Sequence, residues 1–303
     1  MKTYSHTPVI EARTPIGLPV WFKMDCYQTT GSFKIRGMDR LVAHHMSSGN
    51  ELFVASSGGN AGLSLAYAAR LRGGKVTVVV PESTNARMRD MIAYQGAEVV
   101  VHGRNWNAAD ELARQITAER GAVYVSPFDD PLLWEGHSTM IDEVVADLAA
   151  SGREFPGRLV LACGGGGLLT GCMQGLERHG LLDRVEVCVA ETHGAASFRA
   201  AVDAGALVTI DEITSIATTL GAKRVAEEAW GWYEKAGTIK SYTCSDEEAV
   251  AACHRFAQDY GVVVEPSCGA ALSLIFPAKW EEGETLVVVC GGAGWTIADL
   301  MQP

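Results

Sequence analysis

No Cys-x-x-Cys pair occurs in the 303 residues, although the chain holds eight cysteines, which argues against a zinc site. Cys26, Cys163, Cys172, Cys188, Cys244, Cys253, Cys268 and Cys290 sit mostly among apolar residues, as buried thiols in a reducing cytoplasm do. No apolar run reaches the length that spans a bilayer. The opening Met1-Lys2-Thr3-Tyr4-Ser5-His6 does not read as a secretory signal. Basic residues are in deficit. With 25 Lys and Arg against 36 Asp and Glu, the formal net charge is −11, which argues against nucleic acid or an anionic membrane as a partner. Internal repeats, low-complexity tracts and long linkers are missing too, so any domain boundary is a crossover of the chain rather than a tether. The length suits two modest domains, each with its own core.

Glycine, by contrast, is concentrated where it matters. Leu52-Phe53-Val54 runs into Ala55-Ser56-Ser57-Gly58-Gly59-Asn60-Ala61-Gly62 and then a helical stretch. Leu159-Val160-Leu161-Ala162-Cys163 runs into Gly164-Gly165-Gly166-Gly167-Leu168-Leu169-Thr170-Gly171, again followed by a helix signal. Leu286-Val287-Val288-Val289 runs into Cys290-Gly291-Gly292-Ala293-Gly294. A buried strand ending in glycines before a helix aims unpaired N–H groups and a positive dipole end at whatever sits above it, and phosphate suits that place best. The Walker spacing is absent, because Gly171 is followed by Cys172 and Met173. The dinucleotide spacing fails at Leu169 and Thr170. A single such loop is equally well read as a tight turn with no ligand.

A candidate amine accompanies these loops. Lys34 lies between Phe33 and Ile35 in Thr30-Gly31-Ser32-Phe33-Lys34-Ile35-Arg36-Gly37. Apolar neighbours disfavour its ammonium form and lower its pKa, as attack on a carbonyl requires. From about Leu52 onward, strand-like runs (76–80, 97–101, 122–125, 158–162, 185–190, 286–290) alternate with helix-like runs (61–70, 86–95, 106–119, 138–150, 223–235, 246–260). Alternation of this kind predicts an α/β fold with parallel sheets covered by helices.

Taken together, the motifs resemble the pyridoxal-phosphate enzymes of the tryptophan-synthase β-like fold (fold type II), and most closely the L-serine/L-threonine dehydratases. The resemblance spans nearly the whole chain. Beyond the segments above it rests on Thr7-Pro8, Lys23-Met24-Asp25, Pro127-Phe128-Asp129-Asp130-Pro131, Trp134-Glu135-Gly136-His137, Glu191-Thr192-His193-Gly194-Ala195, Ile213-Thr214-Ser215-Ile216-Ala217 and Val264-Glu265-Pro266-Ser267-Cys268-Gly269-Ala270-Ala271. It implies a two-domain α/β protein, each domain a mostly parallel sheet flanked by helices. A small domain of residues 38–133 is inserted into a large cofactor-binding domain of residues 1–37 and 134–303. It also implies a cytoplasmic homodimer acting on a small amino acid, with pyridoxal 5'-phosphate in the cleft.

The resemblance gives the site residues their parts. Lys34 holds the cofactor as a covalent imine and, once released, removes the α-proton. Phe33 packs on the cofactor ring or is an ordinary core aromatic. Gly164, Gly165, Gly166, Gly167 and Leu168 hold the phosphate. Ser57, Gly58, Gly59 and Asn60 receive the substrate carboxylate, with Asn60 also reaching the cofactor 3'-hydroxyl; taken singly, Ser57 and Asn60 read as turn or cap residues. Cys290 faces the pyridine nitrogen or simply ends a strand as a buried thiol. A monovalent cation, K+, is implied at Gly164, Glu191, Ala195, Leu220 and Ala222, with Glu191 alternatively a surface carboxylate. His137 reads as a structural residue at a helix start. The implied reaction is α,β-elimination of water from L-serine or L-threonine, the released enamine then hydrolysing to pyruvate or 2-oxobutanoate plus ammonia. A β-replacement enzyme, an ammonia-lyase for another β-substituted amino acid such as diaminopropionate, and a non-catalytic cofactor-binding regulator are the alternatives. Two departures stand out: Ala293-Gly294-Trp295 replaces the serine and asparagine usual after the Cys-Gly-Gly motif, and Gly58 stands where racemases of this fold carry a serine base, so racemisation should be minor. No appended regulatory domain is expected after the last motif.

Overall fold

A computed structural model describes residues 2–13 and 17–301. Met1, the head of both the opening segment and the expected larger domain, lies outside the described residues, as do residues 14–16 and 302–303. In chain order the elements are β1 (Val9–Glu11), β2 (Val20–Lys23), α1 (Lys34–Ser47), β3 (Leu52–Ala55), α2 (Asn60–Arg72), β4 (Lys75–Val80), α3 (Ala86–Tyr94) and β5 (Glu98–Val101). There follow α4 (Trp106–Arg120), β6 (Val123–Tyr124), α5 (Pro131–Ala150), β7 (Arg158–Ala162), α6 (Gly167–Arg178), β8 (Glu186–Thr192) and α7 (Ser197–Ala204). The chain closes with α8 (Glu227–Ala236), β9 (Ile239–Cys244), α9 (Asp246–Tyr260), α10 (Pro266–Leu272), β10 (Thr285–Val288) and α11 (Ile297–Leu300).

The strands form two sheets. One has six strands in the order β1-β2-β10-β7-β8-β9, parallel apart from β1 against β2. The other has four parallel strands in the order β5-β4-β3-β6. The inner strands β2, β7, β8 and β10 are buried along almost their whole length, as a parallel sheet covered on both faces requires. Helix α1 packs against both α2 and α5 and so joins the two halves. Cys26 is half-buried and the other cysteines are buried, all of them free. Among the described residues no helix is long and apolar enough to cross a membrane.

Local chemistry sets the boundaries. Asn85 and Asn105 cap α3 and α4 through their side chains, and Ser245 with Glu248 forms a capping box on α9. Helix α5 begins earlier than the expected residue 138. Asp130 accepts from the Leu132 N–H at 2.8 Å and Pro131 occupies the first turn, so His137 lies well inside the helix rather than at its start. Helix α8 begins at Glu227, later than the expected residue 223. The run after Gly31, where no helix was expected, is helical from Lys34.

The start of α1 is pinned by buried charge. The fully buried Arg36 donates from Nε and Nη2 to the two Asp25 carboxylate oxygens at 2.6 and 2.9 Å. Its Nη1 and Nη2 also reach the two Glu143 oxygens at 2.7 and 2.6 Å. Lys23, also buried, donates to Glu143 at 2.7 Å and to the Thr7 carbonyl, while Thr7 Oγ1 donates to Asp25 at 2.6 Å. Two cations thus face two carboxylates, drawn from β2, α1 and α5.

Candidate active site

Residues far apart in the chain meet around Lys34. Ser32 bridges to Gly291, the Phe33 N–H donates to the Cys290 carbonyl at 3.2 Å, and Gly292 N–H donates to the Gly31 carbonyl at 2.8 Å. The lysine-bearing segment and the Cys290–Gly294 motif are therefore stitched together by backbone. Lys34 opens α1, and its Nζ donates to the Pro127 carbonyl at 2.6 Å, 5.1 Å from the Phe33 ring centroid. Burial lowers its pKa to about 8, against the smaller opposing fields of Cys290 and Cys163. At neutral pH roughly a tenth of such an amine is uncharged, far more than for a lysine in water. Phe33 is half-buried and packs edge-on to His137 at 4.8 Å. Burial keeps His137 neutral, and among the described residues neither ring nitrogen has a partner.

The glycine tetrad packs against Phe128, the residue after the Pro127 that Lys34 bonds. Gly166 takes φ +91 before the first residue of α6, and that helix has no side-chain cap. Its first N–H groups thus lack carbonyl partners. A Cβ on Gly165 would enter the Phe128 ring, and one on Gly167 would come within 2.6 Å of the Phe128 carbonyl. Thr170 Oγ1, in the first turn of α6, is buried without a partner among the described residues.

Across the cleft, the Ser57–Asn60 loop leads into α2, which also lacks a side-chain cap. Ser57, Gly58 and Gly59 are half-buried and Asn60 is buried. A Cβ on Gly58 would meet Thr84 Cγ2 at 2.6 Å. Thr219 joins the two glycine loops: it lies 3.8 Å from a Cβ on Gly59, and its carbonyl lies 3.2 Å from one on Gly164. Asn60 Oδ1 accepts from the Ala293 N–H at 2.9 Å. Its Nδ2 donates to Glu265 at 3.2 and 3.1 Å. Cys290 is buried, and its thiol pKa is raised first by a hydrogen bond with Cys268, then by burial and the nearby Glu265 charge.

Glu191 is completely buried, which removes its reading as a surface carboxylate. It stands on β8 beside β7, the strand that leads to Gly164, and its oxygens accept from the Phe198 and Arg199 N–H groups at 2.9 and 2.7 Å. Burial raises its pKa to about 8 despite those bonds. Ala195 is buried in the turn after β8, and Leu220 lies 3.1 Å from a Cβ on Gly164. Ala222 is half-buried and donates its N–H to the Leu220 carbonyl at 2.7 Å. Pro127, Thr219 and Glu265 were given no role from sequence, although Pro127 and Glu265 belong to motifs that the sequence displays.

The family described as "Pyridoxal-phosphate dependent enzyme" matches residues 1–291. The chain belongs to that family. The enzyme is 42% identical to the L-serine dehydratase/L-threonine deaminase of Bos taurus, over 98% of this chain and 94% of that protein. It is 40% identical to the L-serine dehydratase of Dictyostelium discoideum, over 93% of this chain and 84% of that one. Among solved structures, a fungal L-serine ammonia-lyase from Rhizomucor miehei superposes with a TM-score of 0.91 at 32% identity, covering 99% of this chain and 98% of the other. The two mostly parallel sheets flanked by helices are thus the tryptophan-synthase β-like architecture. The residues of this enzyme suit pyridoxal phosphate: a lysine with a lowered pKa, a glycine loop packed so closely on Phe128, Leu220 and Ala229 that it leaves no room for a Cβ, and an orphaned hydroxyl in the first turn of α6.

Proposed function

We propose that the enzyme eliminates water from L-serine or L-threonine, and that hydrolysis of the released enamine yields pyruvate or 2-oxobutanoate plus ammonia. The observation that carries this reading is the placement of a half-buried, low-pKa Lys34 in a chain about 40% identical to serine dehydratases along nearly its whole length. When bound, pyridoxal phosphate supplies the electron sink that makes the substrate's α-hydrogen acidic. Lys34 would hold the cofactor through its Nζ, and that nitrogen, when neutral, would take the proton from the substrate Cα. The N–H groups of Gly164 to Leu168 would hold the phosphate, Phe33 would pack on the ring, and Asn60 would meet the 3'-hydroxyl. The Ser57–Asn60 loop holds the substrate carboxylate at the uncapped start of α2.

Cys290 faces the ring nitrogen. With its pKa raised, the thiol stays neutral and places no negative charge there. That favours direct loss of a β-leaving group over chemistry that needs a long-lived carbanion. Gly164, Glu191, Ala195, Leu220 and Ala222 would hold K+, a reading supported by a buried carboxylate whose hydrogen bonds, among the described residues, come from the Phe198 and Arg199 backbone N–H groups. Residues 38–133, which contain the four-stranded sheet, form the small domain, and residues 1–37 and 134–303 the large one. Cytoplasmic residence, supported by eight free cysteines, and assembly as a homodimer complete the reading.

A keto-acid assay with L-serine, L-threonine and D-serine, in potassium and in choline buffers and with and without sulfide, tests the reaction. Keto acid from the L-amino acids, stimulated by potassium, is expected; cysteine formed from serine and sulfide instead would move the enzyme to β-replacement. Borohydride reduction and peptide mapping should find the cofactor on Lys34. Lys34→Ala should lose both the label and nearly all turnover, and a label elsewhere overturns the assignment.

A further inference from the structure

Glu265 makes more hydrogen bonds across the cleft than its position requires, and the reaction above gives it no task. Its backbone belongs to α10: the carbonyl accepts from Cys268 N at 2.8 Å and Gly269 N at 2.9 Å, and from Cys253 Sγ at 3.3 Å. A side chain just before a helix commonly turns back onto the helix's own first N–H groups. That of Glu265 does not. Its carboxylate instead accepts from Asn60 Nδ2 with both oxygens, from Gly294 N–H at 2.6 Å and from Thr219 Oγ1 at 2.8 Å. Two glycines clear the space. A Cβ on Gly292 would overlap the carboxylate, and one on Gly294 would lie 2.9 Å from Oε1. Gly294 belongs to the very segment that departs from the usual dehydratase pattern. Arg87, exposed on α3, spans the same gap and donates from Nη1 to the Ala293 carbonyl.

We propose that Glu265 is a positioning residue that fixes the Asn60 amide, and with it the Ser57–Asn60 loop, against the cofactor cleft. The proposal rests on the reading above for what Asn60 and that loop bind. The carboxylate can only accept and the Ala293 N–H can only donate, so Nδ2 must face Glu265 and Oδ1 must face Ala293. The amide is thereby held in one of its two possible orientations, with a second Nδ2 hydrogen left for a ligand. The same contacts tie α2, which packs on the four-stranded sheet, to the loop after β10 in the six-stranded sheet.

Glu265→Gln tests this with little change in shape, because it sets an amide donor against the Asn60 donor. Losing a hydrogen bond to a charged group corresponds to roughly tenfold to a hundredfold. KM for L-serine is therefore expected to rise about tenfold or more, kcat to change much less, and cofactor loss on dilution, followed by absorbance, to speed up by a similar factor. The borohydride label on Lys34 should remain. Pairing Glu265→Gln with Asn60→Asp restores a donor against an acceptor, so the melting temperature of the double variant should recover most of the loss of the two singles. Arg87→Ala, at an exposed position, carries the test independently and should raise KM in the same direction. If both Glu265→Gln and Arg87→Ala keep the parent KM and cofactor release, or Glu265→Gln lowers only the melting temperature, the positioning role is wrong. If the parent protein itself gives no keto acid and no label at Lys34, the functional reading fails instead, and the melting cycle still decides the Glu265–Asn60 coupling.

Discussion

Asp25→Asn should be among the most damaging single changes that touch neither cofactor nor substrate. Arg36 sits fully buried between Asp25 and Glu143, with Lys23 bonded to the same Glu143 oxygen that Arg36 Nη2 uses. The substitution leaves two enclosed cations against one carboxylate. Removing one partner of a buried ion pair costs about 3–5 kcal/mol, most of it from the charge left behind. For a chain of this size each kcal/mol moves the melting point by about 2–3 °C, so a fall of roughly 6–15 °C is expected. Thermal unfolding at pH 7 with saturating cofactor measures it. Asp25→Leu with Arg36→Met leaves only the neutral Lys23–Glu143 pair and should recover much of the loss, since an apolar replacement of a whole pair is often close to neutral. An Asp25→Asn variant melting within 2 °C of the parent protein, or a double variant worse than the sum of its singles, would refute the balance of charges described (the 2 °C threshold is about 1 kcal/mol). Because Arg36 stands two positions beyond Lys34, turnover should fall before the fold is lost.

Covalent uptake of pyridoxal phosphate by the apoprotein should speed up with pH and level off near the Lys34 value of about 8, since only the uncharged amine attacks the aldehyde. Stopped-flow absorbance between pH 6 and 9.5 (about four and a half units below the unperturbed lysine value to one below it) checks this, and a rate that keeps climbing towards 10 would mean the amine is not desolvated as described. Gly165→Ala forces a methyl into the Phe128 ring, and overpacking of that kind costs about 1–3 kcal/mol. Cofactor affinity, measured by equilibrium dialysis, should fall roughly tenfold, with circular dichroism unchanged.

Much of the fold could be read in the sequence because parallel strands buried on both faces are continuous apolar runs, and β4, β7 and β10 are runs of that kind. The long amphipathic helices α4 and α9 were equally visible. Helix α1 was not, because glycines at 31 and 37 flank its start. Gly37 is there for a tertiary reason: a Cβ would meet His137 Cε1 at 2.6 Å. Strands β1 and β9 carry mixed residues at the sheet's edges, where burial leaves a weak pattern. At the site, Lys34 and the glycine loops announced themselves locally. Glu265 and the Asp25–Arg36–Glu143 group did not, since their meaning lies in partners more than a hundred positions away, or on another helix, and an isolated charge in a sequence looks solvated.

The stitch between Gly31–Phe33 and Cys290–Gly292 has a consequence for the protein's birth. A nascent chain emerging from the ribosome could fold much of its four-stranded half early, yet its reactive amine has no wall at its back until the last strand appears. The segment that closes against Gly31–Phe33 is thus among the last to be made, and the surroundings of Lys34 are completed only then.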